Sequence, residues 1–583
     1  NTTKILSGLG VVAVIGTATL LMNPMSDSFE QGTSELEYTP RNAEIDARLS
    51  GGNAEIQYLL KRNVHTNQLE RTDYLNARSQ ARSMPTDRLT FTWEELGPDN
   101  IGGRTRGILI DKDDDNIVWA GSVSGGLYKS TDAGNNTSRG TTHTESLAIS
   151  SISQAGNGNI FVATGHAEEG INGNGSSGGF GDGVWMSSDD GATWTQVTGS
   201  GAWAYINETV SDQTQSEKVY FATSNNGLQL YENGSLSTVT SGSWTANNIS
   251  ALDMSPDGQI MVLGEFAVGI KTHVSTDGGN TWTDVSGNGV GQIPSSGIGR
   301  LEYSISHSTN DQGFYNIYAS MATSGGRLRG VWMSNDNGST WYEIAPNTSG
   351  QDPDDPNSFT PFSTSRSAQG RYNNIITVFP TNPEKILLGG IDVYGWDQAS
   401  NNPPYGQWEQ RSLWFASQQS PVYVHADNHE FQWDSQGNLY IGNDGGIGKS
   451  PAGQVLGEIF FPSNRGYNVT QFYSVAMGKF GEVMGGTQDN GTLLNDYTGT
   501  TPLEFREVMG GDGFDCDISF LSSDVIFTSV YNGSIVRSDD RGFTAASFYS
   551  ADILALGEPG QTLGSFYTVG RLWETDDDPN SQD

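Results

Sequence analysis

Short runs of alternating apolar and polar residues, each ending in a turn rich in Gly, Asp or Ser, recur from Trp93 almost to the end of the chain. Alternation with a period of two is typical of half-buried β-strands, and such turns are typical of hairpins. The clearest unit, Gly330–Trp341, reads G-V-W-M-S-N-D-N-G-S-T-W, and a near copy occupies Gly183–Trp194. The pattern S-x-D-x-G-x-T-W returns five times, whole or eroded, which predicts a repeat architecture built from hairpins.

The aspartate of each copy has its partners within the motif. Its carboxylate can accept hydrogen bonds from backbone N–H groups of its own turn, and the glycine can adopt a positive φ without a steric penalty. The tryptophan that follows is large and apolar, so we expect it to pack against the neighbouring sheet. We therefore interpret the five aspartates as structural residues: Asp132, Asp189, Asp277, Asp336 and Asp540.

The motif resembles the Asp-box of β-propellers such as sialidases, sortilins and xyloglucanases, where it lies on the outer hairpin of a blade, away from the active centre. About ten hairpin-like stretches occur here, the last of them Arg571–Leu572–Trp573. The resemblance therefore implies an all-β chain, a β-propeller of about ten four-stranded blades. It is either one large ring, as in sortilin, or two tandem rings, as in xyloglucanases. The unbroken series, with no linker near its middle, favours one continuous array.

The residues before the repeats follow other patterns. Residues 5–22 carry no charge and follow Lys4, which is typical of a signal peptide or a short membrane anchor. A polar, acidic linker comes next, and apolar positions three or four residues apart between Ala43 and Met84 then predict about two or three short helices. We therefore divide the chain into a signal peptide or anchor (1–22), a linker with a helical lead-in (23–90) and a propeller array (91–583).

The stretch W-E-E-L-G-P-D-N-I-G-G-R-T-R-G, from Trp93, also resembles the start of large exported propeller proteins of Bacteroidota. Such proteins commonly use the type IX secretion route and carry a C-terminal sorting domain, which we do not recognise in this sequence. Together with the segment 5–22, the resemblance implies an exported protein, either extracellular or on the cell surface and associated with the outer membrane.

Charge and cysteine content limit the classes of partner and of covalent cross-link that the chain can have. The 583 residues carry a formal net charge of −37, which would repel nucleic acid and anionic lipid, so we expect no nucleic-acid partner. Membrane association would depend on residues 5–22. The single cysteine, Cys516, excludes an intrachain disulfide and is predicted to be buried. No cofactor is predicted, although an acidic surface is compatible with Ca²⁺.

Propellers bind through loops on one face, and three loops here carry candidate ligand-binding residues. The first is a long glycine-rich insertion that could lean over a channel or simply lie in solvent. The second, H-A-D-N-H, would place three side chains on one face of a strand, as a divalent-metal or polar-ligand set, unless the histidines bond to carbonyls instead. The third is a group of acidic glycine-rich turns, interpreted as ligand contacts or as repeated structural turns. The candidates are His166, Glu168, His425, Asp427, His429, Asp444, Asp489 and Asp512.

Hydrolase motifs are incomplete. In xyloglucanases a catalytic aspartate lies in a T-D-I-G-G-like segment of an early blade, and the matching stretch here, Ser122–Gly126, has Val123 at that position. Asp444 could match the second catalytic aspartate, but one carboxylate does not hydrolyse by a two-carboxylate mechanism. The arginine-isoleucine-proline signature of sialidases is missing. We therefore expect a non-catalytic exported propeller that binds a protein or a polysaccharide at the cell surface, as a free binder or within a surface or secretion-linked assembly. The alternative is a glycoside hydrolase using Asp444, Asp489 or Asp512.

Overall fold

The computed structural model describes residues 62–68, 70–84, 94–139, 146–166, 179–241, 244, 247–267, 269–345, 359–363, 368–398, 408–453, 459–497, 501–531, 534–547 and 567–575, all within the unit Arg48–Asp583. These residues contain nine four-stranded sheets and one helix, α1 (Arg71–Ser83). None of their helices is long and apolar enough to span a membrane. Residues 5–22 lie outside the described ranges.

Each sheet is a meander in which consecutive strands pair antiparallel. The first three sheets contain β1 (Thr105–Ile110), β2 (Val118–Ser122), β3 (Gly126–Ser130) and β4 (Thr137–Arg139); β5 (Ile149–Gln154), β6 (Ile160–Thr164), β7 (Val184–Ser187) and β8 (Thr195–Gln196); and β9 (Ile206–Ser211), β10 (Lys218–Thr223), β11 (Gly227–Glu232) and β12 (Ser235–Thr238).

The fourth and fifth sheets contain β13 (Ile249–Met254), β14 (Met261–Ala267), β15 (Gly269–Ser275) and β16 (Thr283–Asp284); and β17 (Arg300–Thr309), β18 (Tyr315–Ala322), β19 (Leu328–Ser334) and β20 (Tyr342–Ala345). The sixth and seventh contain β21 (Ile375–Phe379), β22 (Asn382–Gly389), β23 (Val393–Asp397) and β24 (Glu409–Gln410); and β25 (Asn428–Trp433), β26 (Leu439–Asn443), β27 (Gly446–Ser450) and β28 (Phe461–Pro462).

The last two sheets contain β29 (Ala476–Met477), β30 (Val483–Gly486), β31 (Thr492–Asn495) and β32 (Arg506–Met509); and β33 (Cys516–Ile518), β34 (Ile526–Ser529), β35 (Ile535–Ser538) and β36 (Ala546–Ser547). The all-β propeller class predicted from the sequence is therefore confirmed. Cys516 is buried, as expected.

Seven of the nine sheets close into a ring. The first strand of each sheet contacts the first strand of the next, from β1 through β5, β9, β13, β17 and β21 to β25, and β25 in turn contacts β1. An apolar cluster seals this closure, because Ile108 of the first sheet packs with Tyr440 and Ile447 of the seventh. Tyr440 also donates its hydroxyl to the Ala133 carbonyl at 3.0 Å. The preference for one continuous array is wrong, since the ring closes after the seventh sheet.

The eighth and ninth sheets pack against each other outside this ring. Met484 and Leu494 of the eighth share an apolar core with Cys516 and Ile526 of the ninth. The expected tenth hairpin at Arg571–Trp573 is wrong, because these residues form no strand in the described part of the chain. Instead the Leu572 amide donates to the Asp517 carboxylate at 2.8 Å.

The five repeat turns (the segments around Asp132, Asp189, Asp277, Asp336 and Asp540) all join the third and fourth strands of their sheets. Their geometry is the same in each, although Asn136 takes the place of the threonine in the first. In one copy Ser334 donates to the Asp336 carboxylate at 2.8 Å, the amide and hydroxyl of Thr340 donate to it at 2.8 and 2.6 Å, and the Gly338 amide donates to the Ser334 hydroxyl at 2.9 Å. Each carboxylate accepts its hydrogen bonds from residues of its own turn, which supports a structural role for these aspartates.

Candidate binding site at the closure of the ring

Three acidic segments meet beside the first strand of the ring: a turn of the seventh sheet, a turn of the eighth, and the connection from the eighth sheet to the ninth. Asp444 lies between β26 and β27, Asp489 between β30 and β31, and Asp512 between β32 and β33. In an antiparallel meander the turn between the second and third strands lies at the end where the first strand begins. Arg104, the residue just before β1, is therefore placed among these turns. Its guanidinium pairs with Asp444 at 3.0 Å and with Asp489 at 3.1 Å.

Asp444 is surrounded by donors. Besides Arg104, it accepts a 2.6 Å hydrogen bond from the Tyr372 hydroxyl and lies 2.7 Å from His429 Nε2. Burial alone would raise the pKa of the Asp444 carboxyl, but Arg104 and His429 hold it well below its usual value. The Arg104 guanidinium also lies over the Tyr372 ring, 5.0 Å from its centroid. Asp444 is therefore an ionised anchor that holds the end of the first sheet against the seventh.

Asp489 and Asp512 form a second acidic unit. The Asp489 amide donates to the Asp512 carboxylate at 2.8 Å. Burial and the nearby carboxylates of Asp444 and Asp512 raise the pKa of Asp489 well above its usual value, and burial raises the pKa of Asp512 as well. The Asp512 amide donates to the Tyr531 hydroxyl at 2.7 Å. The pair thus keeps a proton at a higher pH than exposed aspartates do.

The H-A-D-N-H stretch does not present one face. β25 begins only at Asn428, and Asp427 has a φ of 66°, so its side chain turns away from the strand direction. His425 Nε2 lies 2.9 Å from the Asp489 carbonyl, while His429 meets Asp444. The shared-face geometry expected for His425, Asp427 and His429 is therefore wrong. Within the described residues, no three His, Cys, Asp or Glu side chains are grouped to hold a metal ion.

Asp427 is engaged by two amide side chains. Asn373 Nδ2 donates to its carboxylate at 2.5 Å, and Gln369 Nε2 lies 3.1 and 3.2 Å from the two oxygens. Burial raises the pKa of Asp427 to about 7, with a further contribution from Asp444. The Asp427 carboxyl therefore fixes the segment ahead of β21 to the segment ahead of β25.

His166 lies at the same end of the ring. It is buried, and its Nε2 is 3.4 Å from a guanidinium nitrogen of Arg106 on β1. Burial and the charges of Arg106 and Arg300 hold the pKa of His166 well below its usual value, so it is neutral. Glu168 lies outside the described residues. At the base of the same insertion, the Arg78 guanidinium of α1 pairs with Asp182 at 3.2 Å.

Buried carboxyl groups continue from this end into the middle of the ring. Glu208 on β9 accepts the Leu252 amide at 2.7 Å, and Asp253 on β13 accepts the Ile305 amide at 2.6 Å, so each joins neighbouring first strands. Burial raises the pKa of Asp253 to about 7. It raises the pKa of Glu430 on β25 to about 8.

The site brings together most of the predicted candidates but also residues that the sequence reading missed. Asp444, Asp489, Asp512, His425 and His429 are all linked directly or through one neighbour. Arg104 and Arg106 were missed, although G-G-R-T-R-G, with two arginines beside a glycine pair, was a visible signal. Tyr372 and Asn373 gave no signal, because their role depends on contacts between sheets. Val123, at the position of the first xyloglucanase acid, is buried between β2 and β3.

Comparison with known proteins extends the description of the fold. No protein-family model matches the chain, and no curated protein matches it. Among solved structures, an ancestral GH74 enzyme is similar with a TM-score of 0.54 at 14% identity, over 79% of this chain and 64% of that one.

Two further GH74 proteins are similar in fold. The GH74 enzyme of Niastella koreensis has a TM-score of 0.53 at 15% identity, over 81% of this chain and 69% of its own. The GH74 xyloglucanase of Xanthomonas campestris has a TM-score of 0.53 at 14% identity, over 82% of this chain and 70% of its own. At these identities the likeness shows the fold alone. The chain spans 64% to 70% of the length of these structures.

Proposed function

We propose that this chain is an exported, non-catalytic propeller that binds a protein or a polysaccharide at the cell surface through the face where the ring closes. One observation carries the proposal: the carboxylates gathered at that face are taken up by partners in the same chain. Asp444 is held by Arg104, His429 and Tyr372. A two-carboxylate hydrolase instead needs an acid and a base that stand free on either side of a scissile bond.

An exposed aromatic pair supports the choice of this face for binding. Trp414 and Phe415, in the segment between β24 and β25, are 44% and 68% exposed, and their ring centroids lie 5.8 Å apart. The Trp414 amide donates to the Asp392 carboxylate at 2.8 Å, so the pair sits on an anchored backbone. Rigid aromatic side chains supply much of the contact energy in binding sites. Export is supported by the uncharged segment 5–22 and by the acidic composition.

A glycoside hydrolase is the second candidate, because of the Asp489–Asp512 pair. The pKa values of both carboxyl groups are raised, and a carboxyl group with a raised pKa can act as the general acid of such an enzyme. The GH74 likeness adds the fold alone to this candidate.

One experiment separates the two functions. The purified chain is incubated with a panel of soluble polysaccharides and with the cell-surface fraction of its source. Reducing ends and saturable binding are measured together, with the double variant D489N/D512N as the control. The proposal expects saturable binding without release of reducing ends. Release by the wild-type chain that is lost in the double variant would establish the hydrolase, and absence of saturable binding would contradict the proposal.

A further inference from the structure

The outer edge of the eighth sheet lies in a groove beside the ring. β32 is the last strand of that sheet and pairs on one side with β31. Among the described strands, none pairs with its other side. The groove along this edge, here the β32 groove, has a volume of about 580 Å³ and is lined by Asn100, Gln418, Gln419, Glu504 and the run from Phe505 to Gly510.

At one end of the groove, residues 99 and 100 already form hydrogen bonds with the backbone of this edge. The side-chain amide of Asn100 imitates a neighbouring strand: its Oδ1 accepts the Phe505 amide at 2.9 Å, and its Nδ2 donates to the Phe505 carbonyl at 2.8 Å. One residue earlier, the Asp99 amide donates to the Leu503 carbonyl at 3.0 Å. The chain then leaves the edge toward Arg104. Since backbone groups alternate sides along a strand, those of Glu507 face the same way as those of Phe505.

The opposite wall of the groove comes from the segment between β24 and β25. Gln418 donates to the Glu507 carboxylate at 3.1 Å, so these two side chains together span the distance from this wall to β32. An added strand would lie about 4.8 Å from β32 and would span about 13 Å over its four residues. The groove therefore matches a single extended chain rather than a flat docking surface.

The charge of the groove points to a basic occupant. Glu504, Arg506 and Glu507 all line it, and the charge of Arg506 is paired with Asp496 at 2.9 Å. The C-terminal end of β32 leads through Gly510 to the acidic turn at Asp512. Glu504 already lies 3.8 Å from the Arg465 guanidinium, so a Lys or Arg side chain in the groove would meet chiefly the Glu507 carboxylate, in a chain whose net charge is −37.

We propose that the β32 groove binds an extended peptide segment of a partner protein as an added strand, with a basic side chain of that segment against Glu507. This inference rests on the proposed non-catalytic binding function and names its partner as a protein. Strand addition uses the N–H and C=O groups of a free edge, which a polysaccharide does not match.

Short random peptides displayed on phage, selected on the purified chain, provide the probe. We expect the selected peptides to carry Lys or Arg and to lose at least about tenfold in affinity with Glu507→Lys. Glu409→Lys is the matched control, because Glu409 lies on β24, the outer strand of the sixth sheet, and is 58% exposed. It should leave affinity unchanged. Thermal unfolding of both variants checks that they fold.

A scan of backbone N-methylation along one selected peptide tests the strand itself. Methyl groups on alternate residues should weaken binding by at least about tenfold, and those between them should have little effect, because only every second amide faces β32. Equal sensitivity at successive positions, equal loss with Glu507→Lys and Glu409→Lys, or displacement of the peptide by a polysaccharide would overturn the inference. If the inference fails in this way, saturable binding of the chain to the cell-surface fraction is still expected, because that binding tests the proposed function alone. Hydrolysis of a polysaccharide would remove the proposed function without altering the peptide result.

Discussion

Replacing Arg104 with glutamine should destabilise the protein strongly. The Arg104 side chain is 4% exposed and joins Asp444, which is 1% exposed, to Asp489, which is 28% exposed. Removing one partner of a buried ion pair leaves an uncompensated charge, at a cost of about 3–5 kcal/mol. We expect this loss in the free energy of unfolding, measured by urea denaturation with tryptophan fluorescence at neutral pH.

Two further variants give this prediction its controls. Arg465→Gln removes a guanidinium that is 34% exposed and lies 2.8 Å from Asp99 and 3.8 Å from Glu504, so its cost should be about 1 kcal/mol. Adding Asp444→Asn to Arg104→Gln should restore at least about 1 kcal/mol, because the stranded charge is removed with its partner. A cost for Arg104→Gln no greater than that for Arg465→Gln would refute the reasoning. So would additive losses in the double variant.

Other predictions concern the ring and the repeat turns. Carboxyl groups with raised pKa values bind protons more tightly in the folded state than in the unfolded state. The free energy of unfolding should therefore fall as pH rises from about 5 to 8, by at most about 1.4 kcal/mol per pH unit for each group. Glu430→Gln should reduce this dependence of the unfolding free energy on pH, measured by urea denaturation at several pH values. Asp336→Ala should cost about 1–2 kcal/mol through lost turn hydrogen bonds, against about 0–1 for Asp113→Ala, whose side chain is 76% exposed; equal unfolding midpoints would count against the structural role. Gly191→Ala should cost about 1–3 kcal/mol more than Gly158→Ala, because a Cβ at 191 would lie 2.1 Å from a tryptophan ring and one at 158 meets nothing within 4 Å, while both have a positive φ; equal costs would contradict the packing.

The repeat turns could be predicted from sequence because their physics is local. Every partner of the Asp336 carboxylate lies within four residues of it. The strand pattern was equally legible, since alternation with a period of two is read directly along the chain. The features that depend on short-range patterns could therefore be predicted, including the all-β class and the four-stranded sheets.

The size of the ring could not be predicted in this way. Closure depends on contacts between β1 and β25, which lie more than three hundred residues apart, and on the packing of Ile108 against Tyr440. No local pattern distinguishes a sheet that closes a ring from one that continues it. The absence of a linker, used to favour one array, carried no information about closure.

The candidate site was predicted in part for the same reason. The acidic turns stood out individually, but their meeting depends on two long-range events. Ring closure brings Asp444 of the seventh sheet to Arg104, and the position of the eighth sheet beside the closure brings Asp489 to the same arginine. The shared face expected for His425 and His429 failed because one residue between them, Asp427, has a positive φ. A left-handed residue interrupts the extended backbone on which a shared face depends, and a periodic pattern does not reveal it.

A cryo-electron microscopy map of the purified chain, at a resolution that shows side chains, tests the central claim most directly. The account predicts seven sheets around one axis, with β25 beside β1, the eighth and ninth sheets outside the ring, and Arg104 between Asp444 and Asp489. A map in which the eighth and ninth sheets join the same ring, with Asp489 remote from Arg104, would contradict it.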